Sequence, residues 1–329
     1  MTIGLPKPAT KVLSIQSHVV HGYVGNKAAC FPLQMLNWDV DILNSVNFSN
    51  HTGYGKISGN YSTGEELRKI YEGLKKINMK YDAVLTGYTH GALAVESIAE
   101  ICCNFKESNP DALWLLDPVM GDEGEMYVSE EVIPHYQRIV KSGHVDIITP
   151  NQFELELLLG FNIIDRASLK KALKILHNEY KIKHVVISSM NLGPEQLGIS
   201  IENSKNVFFC CASSYDWKSP VVFEIDKFDS YFTGVGDLFS ALLLDRLYKS
   251  QDLLISTNQV LSVMSKVLFV TQSLCFRRLG KLVEGKIGDF ETMKECELRI
   301  VECRDLYDRN ECNYEAIEIV YTDDNLELT

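Results

Sequence analysis

Two glycines and an aspartate stand together in Gly234-Val235-Gly236-Asp237, just ahead of an apolar run over residues 240–247. The run reads as a helix, so the glycines sit at its N-terminus. Unpaired backbone N–H groups and the helix dipole both favour an anion at such a place, and a phosphate fits. Gly234, Val235 and Gly236 are therefore read as an anion hole. An aspartate beside bound phosphate repels it electrostatically. Its presence makes sense if Asp237 takes the proton from a hydroxyl that attacks that phosphate. Taken alone, a Gly-x-Gly before a helix is more often a tight turn.

Further polar residues recur where short apolar stretches end. Asp117, in Asp117-Pro118 with Gly121-Asp122, follows the stretch 113–116. A carboxylate there could hold a hard cation that bridges phosphate oxygens, or it could simply cap a turn. Thr149-Pro150-Asn151-Gln152-Phe153-Glu154 puts Asn151 and Glu154 three apart on one helix face. That pattern suits a capping box, and it also suits the water shell of a metal. The loop Ser49-Asn50-His51-Thr52-Gly53-Tyr54-Gly55 reads as a tight or mobile cover. His18, His21 and His51 have no zinc spacing, and none is read as the catalyst. The Gly-x-x-x-x-Gly-Lys-Ser/Thr loop of P-loop kinases is absent, and no Gly-x-Gly-x-x-Gly follows the first strand, which argues against a dinucleotide enzyme.

The elements that must position these residues alternate. Strands are expected at 12–16, 40–47, 81–85, 112–116, 145–149 and 184–188. Helices are expected at 27–36, 65–77, 93–105, 133–141, 152–159 and 169–180. Short apolar strands between amphipathic helices indicate a parallel sheet covered on both faces. A hairpin is expected from 197–201 and 207–211, with another strand at 221–225. From 238 to 279 the chain reads as helix broken near Ser250; a last helix is expected at 289–305 and an edge strand at 316–321. Ligands of such sheets bind at the carboxyl ends of the strands. Ser17, Thr52, Gly87-Tyr88, Asp117, Thr149 and Ser188-Ser189 would converge on that edge.

The 329 residues are 46% apolar and 23% charged, enough for one large core. With no repeat or low-complexity linker, a single domain over 1–329 is expected, with 1–11 an extension and 322–329 a frayed acidic tail. The net charge of -12 argues against nucleic acid and against anionic membranes as partners. Nine cysteines, an odd number without zinc spacing, read as reduced thiols. With no signal peptide or membrane span read, a cytoplasmic location is expected, the nucleus being a second address.

In this order the motifs resemble those of the ribokinase-like superfamily, and within it the pyridoxal kinase family. The carrying segments are 12–19, 22–26, 47–54, 84–88, Asp117-Pro118 with Gly121-Asp122, 148–154 and 234–239. The resemblance spans residues 12–244. It implies a three-layer α/β/α sandwich with a mostly parallel central sheet, and ATP-dependent phosphorylation of the 5′-hydroxyl of pyridoxal, pyridoxine or pyridoxamine. Carried over, Asp237 is the general base. Ser17 bonds the pyridine ring, and Val46, Phe48, His51, Thr52 and Tyr88 line the vitamin pocket. Asp117, Asp122, Asn151 and Glu154 serve Mg²⁺ and ATP; Asp117 and Thr149 also help hold K⁺ or another monovalent cation. Ser188 and Ser189 contact ATP phosphates, and Tyr127 belongs to a flap over them. A homodimer is also implied. Val235 stands where many members have Thr, and the flap 121–127 is shorter than in animal members. A kinase of another small alcohol, such as hydroxymethylpyrimidine or a sugar, and a vitamin B6 carrier with little turnover are the competing readings; intact Asp237, Gly234 and Gly236 count against the carrier.

Overall fold

Residues 7–201, 207–228 and 230–321 are described in this computed structural model. Along the chain run β1 (Thr10–Val19), α1 (Asn26–Met35), β2 (Trp38–Phe48), β3 (Gly59–Tyr61), α2 (Gly64–Lys76), β4 (Ala83–Thr86), α3 (Ala92–Ser108), β5 (Leu113–Leu116), β6 (Gly121–Asp122), β7 (Glu125–Met126) and α4 (Ile133–Lys141). There follow β8 (Ile147–Ile148), α5 (Gln152–Leu159), α6 (Arg166–Lys174), β9 (His184–Met190), α7 (Pro194–Leu197), β10 (Val207–Ser214), β11 (Val221–Asp226), α8 (Val235–Ser250), α9 (Leu253–Leu279), α10 (Phe290–Glu295) and β12 (Ile317–Glu318).

Ten strands form one sheet in the order β12-β11-β10-β9-β8-β5-β4-β1-β2-β3. From β9 to β2 the neighbours are parallel, and both flanks are antiparallel. Strand residues alternate between two cores, as the pleat requires. Leu13, Val84, Trp114, Leu116, Ile148 and Val185 enter the core under α2–α6. Val12, Ala83, Leu85, Leu115, Ile147 and Val186 enter the core under α1, α8 and α9. Both faces of the sheet are thus covered, and its carboxyl ends remain open for ligands.

Several expectations are corrected. The 197–201/207–211 hairpin does not form: Pro194 starts a short helix that Gly198 closes at φ 68, and β10 pairs with β9 and β11 instead. The expected helix 289–305 stops at Glu295 and only resumes as a single turn, Arg304–Leu306, because Glu297 forms a parallel bridge with Thr233. A tertiary pairing there overrides helical propensity. β1 begins at Thr10, inside the stretch read as an extension. Residues 1–6 and the tail 322–329 lie outside the described residues.

The long helical stretch breaks at Gln251, φ 57, just after Ser250. By length and composition α9 could cross a membrane, a signal the sequence reading passed over; 56% of that apolar stretch is buried inside the fold, where α9 packs on α8.

Candidate active site

At the N-terminus of α8, Gly234 adopts φ 80, ψ 10, a left-handed conformation that favours glycine. A Cβ there would also run into the carbonyl oxygen of Tyr23, so the position excludes every other residue on two grounds. Gly236 is permissive by contrast: its Cβ would lie 3.6 Å from Asp117 Oδ2, in ordinary contact. Its bareness exposes the first turn of α8 toward that carboxylate. Val235 turns away from the turn and packs on the core beneath it.

Asp237 stands in the first turn. Burial pushes its carboxyl up to about 6, and the Gly25 N–H donating to it limits the rise. Asp117 is buried at the end of β5. It accepts from Ser240 Oγ at 3.3 Å, and Ser240 in turn meets Thr149 Oγ1 at 2.9 Å. Burial first, then the charges of Glu154 and Asp237, raise the Asp117 carboxyl well above the usual range. Glu154 is pushed up to about 8 by burial, against backbone N–H groups that favour its charged form. None of these three carboxylates has a cationic side-chain partner among the described residues.

Asn151 and Glu154 form the capping box. Asn151 Oδ1 accepts the Glu154 N–H at 2.8 Å, and Glu154 Oε2 accepts the Asn151 N–H at 3.0 Å. Each also reaches across to the next loop: Glu154 Oε1 accepts the Met120 N–H at 2.9 Å, and Asn151 Nδ2 donates to Gly121 O at 2.8 Å. The pair therefore anchors the β6–β7 hairpin. Asp122 and Ser189 line a cavity of about 360 Å³ together with Gln152, Phe153 and Phe208. Ser188 is tied to Pro150 through its backbone N–H at 2.9 Å. Tyr127 follows β7 and is 43% exposed; the Tyr231 hydroxyl donates to its Oη at 3.5 Å.

The other end of the site is apolar. Val46 and Phe48 at the end of β2 join Val19, Val24 and Tyr88 in a small cluster separate from both main cores. Ser17 pairs with Val46 where a bulge shifts the β1–β2 register after Gln16. Bulges re-aim side chains, and Ser17 is brought to this cluster. Gly25 is required beside it, since a Cβ would strike the Ser17 hydroxyl. His51 caps the turn Thr52–Tyr54, its Nδ1 accepting the Gly53 N–H at 3.1 Å. Burial lowers its pKa, consistent with a neutral ring. Thr52 is exposed on that turn.

One residue escaped the sequence reading. Glu297 is buried and accepts the Tyr54 hydroxyl at 2.6 Å, the Tyr23 N–H at 2.9 Å and the Thr233 hydroxyl at 3.1 Å. It carries no motif of its own and lay inside an expected helix, so the sequence held no signal for it.

A mostly parallel sheet with a glycine-lined helix N-terminus, an adjoining aspartate and a separate apolar cluster at its carboxyl edge defines a small-molecule phosphotransferase of the ribokinase-like class. A family model described as phosphomethylpyrimidine kinase matches residues 69–268. A putative pyridoxal kinase of Saccharomyces cerevisiae is 47% identical over 310 residues, 91% of this chain and 95% of that protein. The pyridoxal kinase of Sus scrofa is 40% identical over 316 residues, 91% and 92% of the two chains. Among solved structures, the pyridoxal kinase of Leishmania donovani in complex with ADP and pyridoxine superposes with a TM-score of 0.79 at 30% identity, covering 94% of this chain and 99% of that one. The chain belongs to the pyridoxal kinase family.

Proposed function

We propose that this protein is an ATP-dependent kinase that phosphorylates the 5′-hydroxyl of pyridoxal, pyridoxine and pyridoxamine. The observation that carries the reading is the placement of Asp237 in the first turn of α8, on the same sheet edge as the apolar cluster of Val46, Phe48 and Tyr88 with Ser17 beside it. Family membership supplies the vitamer. The Leishmania donovani enzyme named above, with ADP and pyridoxine, and a Plasmodium falciparum enzyme, with AMP-PNP and PL, each hold nucleotide and vitamer together.

A primary alcohol is a weak nucleophile near neutral pH. Asp237 accepts its proton as the new O–P bond forms and the bond to ADP breaks, a contribution of roughly 10²–10⁴-fold. The bare N–H groups of Gly234, Val235 and Gly236 meet the charge that spreads over the transferred phosphoryl group. The Gly25 backbone favours the charged form of Asp237 that the base role needs. Ser17 offers its hydroxyl to the ring nitrogen, and Val46, Phe48 and Tyr88 exclude water from the ring. Asp122, Ser188 and Ser189 hold the nucleotide side, under the hairpin that carries Tyr127.

Buried carboxylates without cationic partners fit Mg²⁺ and a monovalent cation. Among the described residues no three acidic, His or Cys side chains converge into a cage, which suits a metal held by one or two carboxylates together with substrate phosphates. Asp117 and Glu154 would hold Mg²⁺, and Asp117 and Thr149 the monovalent ion, such as K⁺. The metal would neutralise phosphate charge. One continuous ten-stranded sheet supports a single domain, and nine free thiols support a cytoplasmic setting. A homodimer is proposed from family membership.

The test is ADP release from the purified protein with ATP, Mg²⁺ and pyridoxal, with and without K⁺. Turnover with formation of the 5′-phosphate is expected. Pyridoxal binding without turnover would overturn the kinase reading in favour of a carrier, and turnover only with hydroxymethylpyrimidine would reassign the substrate.

A further inference from the structure

Three loops meet at the active site from distant parts of the chain, and one carboxylate touches all three. The turn Thr52–Tyr54 belongs to the vitamer side, the turn at 22–25 lies between β1 and α1, and Thr233 opens the anion hole. Glu297 Oε1 takes the Tyr54 hydroxyl, while Oε2 takes both the Tyr23 N–H and the Thr233 hydroxyl. Thr233 and Glu297 are also joined through their backbones by a parallel bridge. Gly22, at φ 88, is bare where a Cβ would strike the Glu297 carboxylate.

The consequences run onward from each contact. The Tyr23 carbonyl is the group that forces glycine at 234, and the backbone of Gly25, two residues later, favours the charged form of the Asp237 carboxyl. The position of Tyr23 therefore bears on both the anion hole and the base. On the vitamer side, the Gly288 N–H donates to Gly53 O at 2.7 Å, so the same C-terminal segment clasps the turn a second time. Among the described residues Glu297 forms no salt bridge, although the Arg299 charge is felt at both Tyr23 and Tyr54. Three donors converge on one buried carboxyl group, and losing any one of them is felt by the others.

We infer that Glu297 is a positioning residue that couples the vitamer-side turn to the anion hole and to Asp237, so that both form together. This rests on the kinase reading for its catalytic meaning. It does not rest on it for the coupling itself.

The test combines Tyr54→Phe and Thr233→Val, singly and together, with Glu297→Gln as a third variant. Glu297→Gln should lower kcat with pyridoxal about 10–100-fold, the scale of one charge-assisted hydrogen bond, while KM for ATP stays within about threefold because the nucleotide cavity does not touch it. Tyr54→Phe and Thr233→Val leave the carboxylate in place, so they avoid the risk that a Glu297 change unfolds the protein. Their effects on kcat/KM should be non-additive by at least about threefold. A substrate-free reading comes from amide hydrogen exchange: Tyr54→Phe should speed exchange at 22–25 as well as at 52–55. Additive kinetics with exchange changes confined to 52–55 would overturn the coupling. Coupled exchange in Tyr54→Phe together with a wild-type protein that never turns over pyridoxal would overturn the kinase reading and leave the coupling standing.

Discussion

The two ends of the site are built from opposite materials. At the phosphate end, Asp117 and Glu154 are buried carboxylates and Asp237 a half-buried one, all raised by desolvation and, for Asp117, by the charges of the other two. At the vitamer end, Val19, Val24, Val46 and Phe48 form a small apolar cluster against Tyr88, with Ser17 beside it and a neutral His51 capping the adjoining turn. The first arrangement is costly when empty and would be relieved by the proposed cations and nucleotide. The second is stable as it stands and selects by shape. On the proposed function, chemistry and specificity would be carried by different elements: α8 with the ends of β5 and β8 for the one, β1 and β2 for the other.

Changes at the phosphate end should reduce turnover with every vitamer alike. Asp237→Asn has the largest expected effect, a loss of kcat of about 10²–10⁴-fold with pyridoxal affinity, read by calorimetric titration, retained. Retained turnover above about a tenth of wild type would remove Asp237 from the base role. The wild-type rate should fall as pH drops below about 6, since the base must be ionised and its carboxyl is pushed up to about 6. Gly234→Ala follows, with about 10²-fold or more lost from kcat, because the left-handed turn and the Tyr23 carbonyl both resist a Cβ. Crystallisation of that variant with an unmoved 233–237 turn would contradict the account.

A change at the vitamer end should instead separate substrates. Ser17→Ala is expected to raise KM for pyridoxal by about 3–30-fold while altering kcat less, one hydrogen bond being removed at constant pocket shape. An equal loss in kcat would blur the distinction between the two ends.

The smallest effect is thermodynamic. Asp237 and Glu154 have folded pKa values of about 6 and 8, above their ordinary 3.8 and 4.5. Their contribution to stability is fully present below the ordinary values and is lost as pH rises through 6 and then 8. Mg²⁺ with a non-hydrolysable ATP analogue should therefore raise Tm more at about pH 8 than at about pH 6. Equal shifts at both would mean that the carboxylates do not meet the cation.

The legible parts of the molecule were those whose signal is local. α4 and α5 start and stop where periodicity and the capping box place them, at Ile133–Lys141 and Gln152–Leu159. The break near Ser250 and the helix N-terminus at Gly234–Asp237 were equally visible. Asn151 and Glu154 were readable as a cap or as a metal site, and the structure shows the cap, which leaves Glu154 buried and raised. The expected hairpin at 197–201 failed because Pro194 and Gly198 close a helical turn there, a local cue that outweighs the apolar alternation. The expected helix 289–305 failed for the opposite reason, a long-range bridge from Glu297 to Thr233.

By itself the sequence determined the alternation of strands and helices, the anion-binding turn before α8 and the acid beside it, because hydrophobic period, glycine and capping chemistry act over a few residues. Only the tertiary structure decided which carboxylates share a field, how a bulge turns Ser17 toward Val46, and that Glu297 joins Tyr23, Tyr54 and Thr233. Those depend on segments as far as 274 positions apart, and no local preference of the chain encodes where they meet.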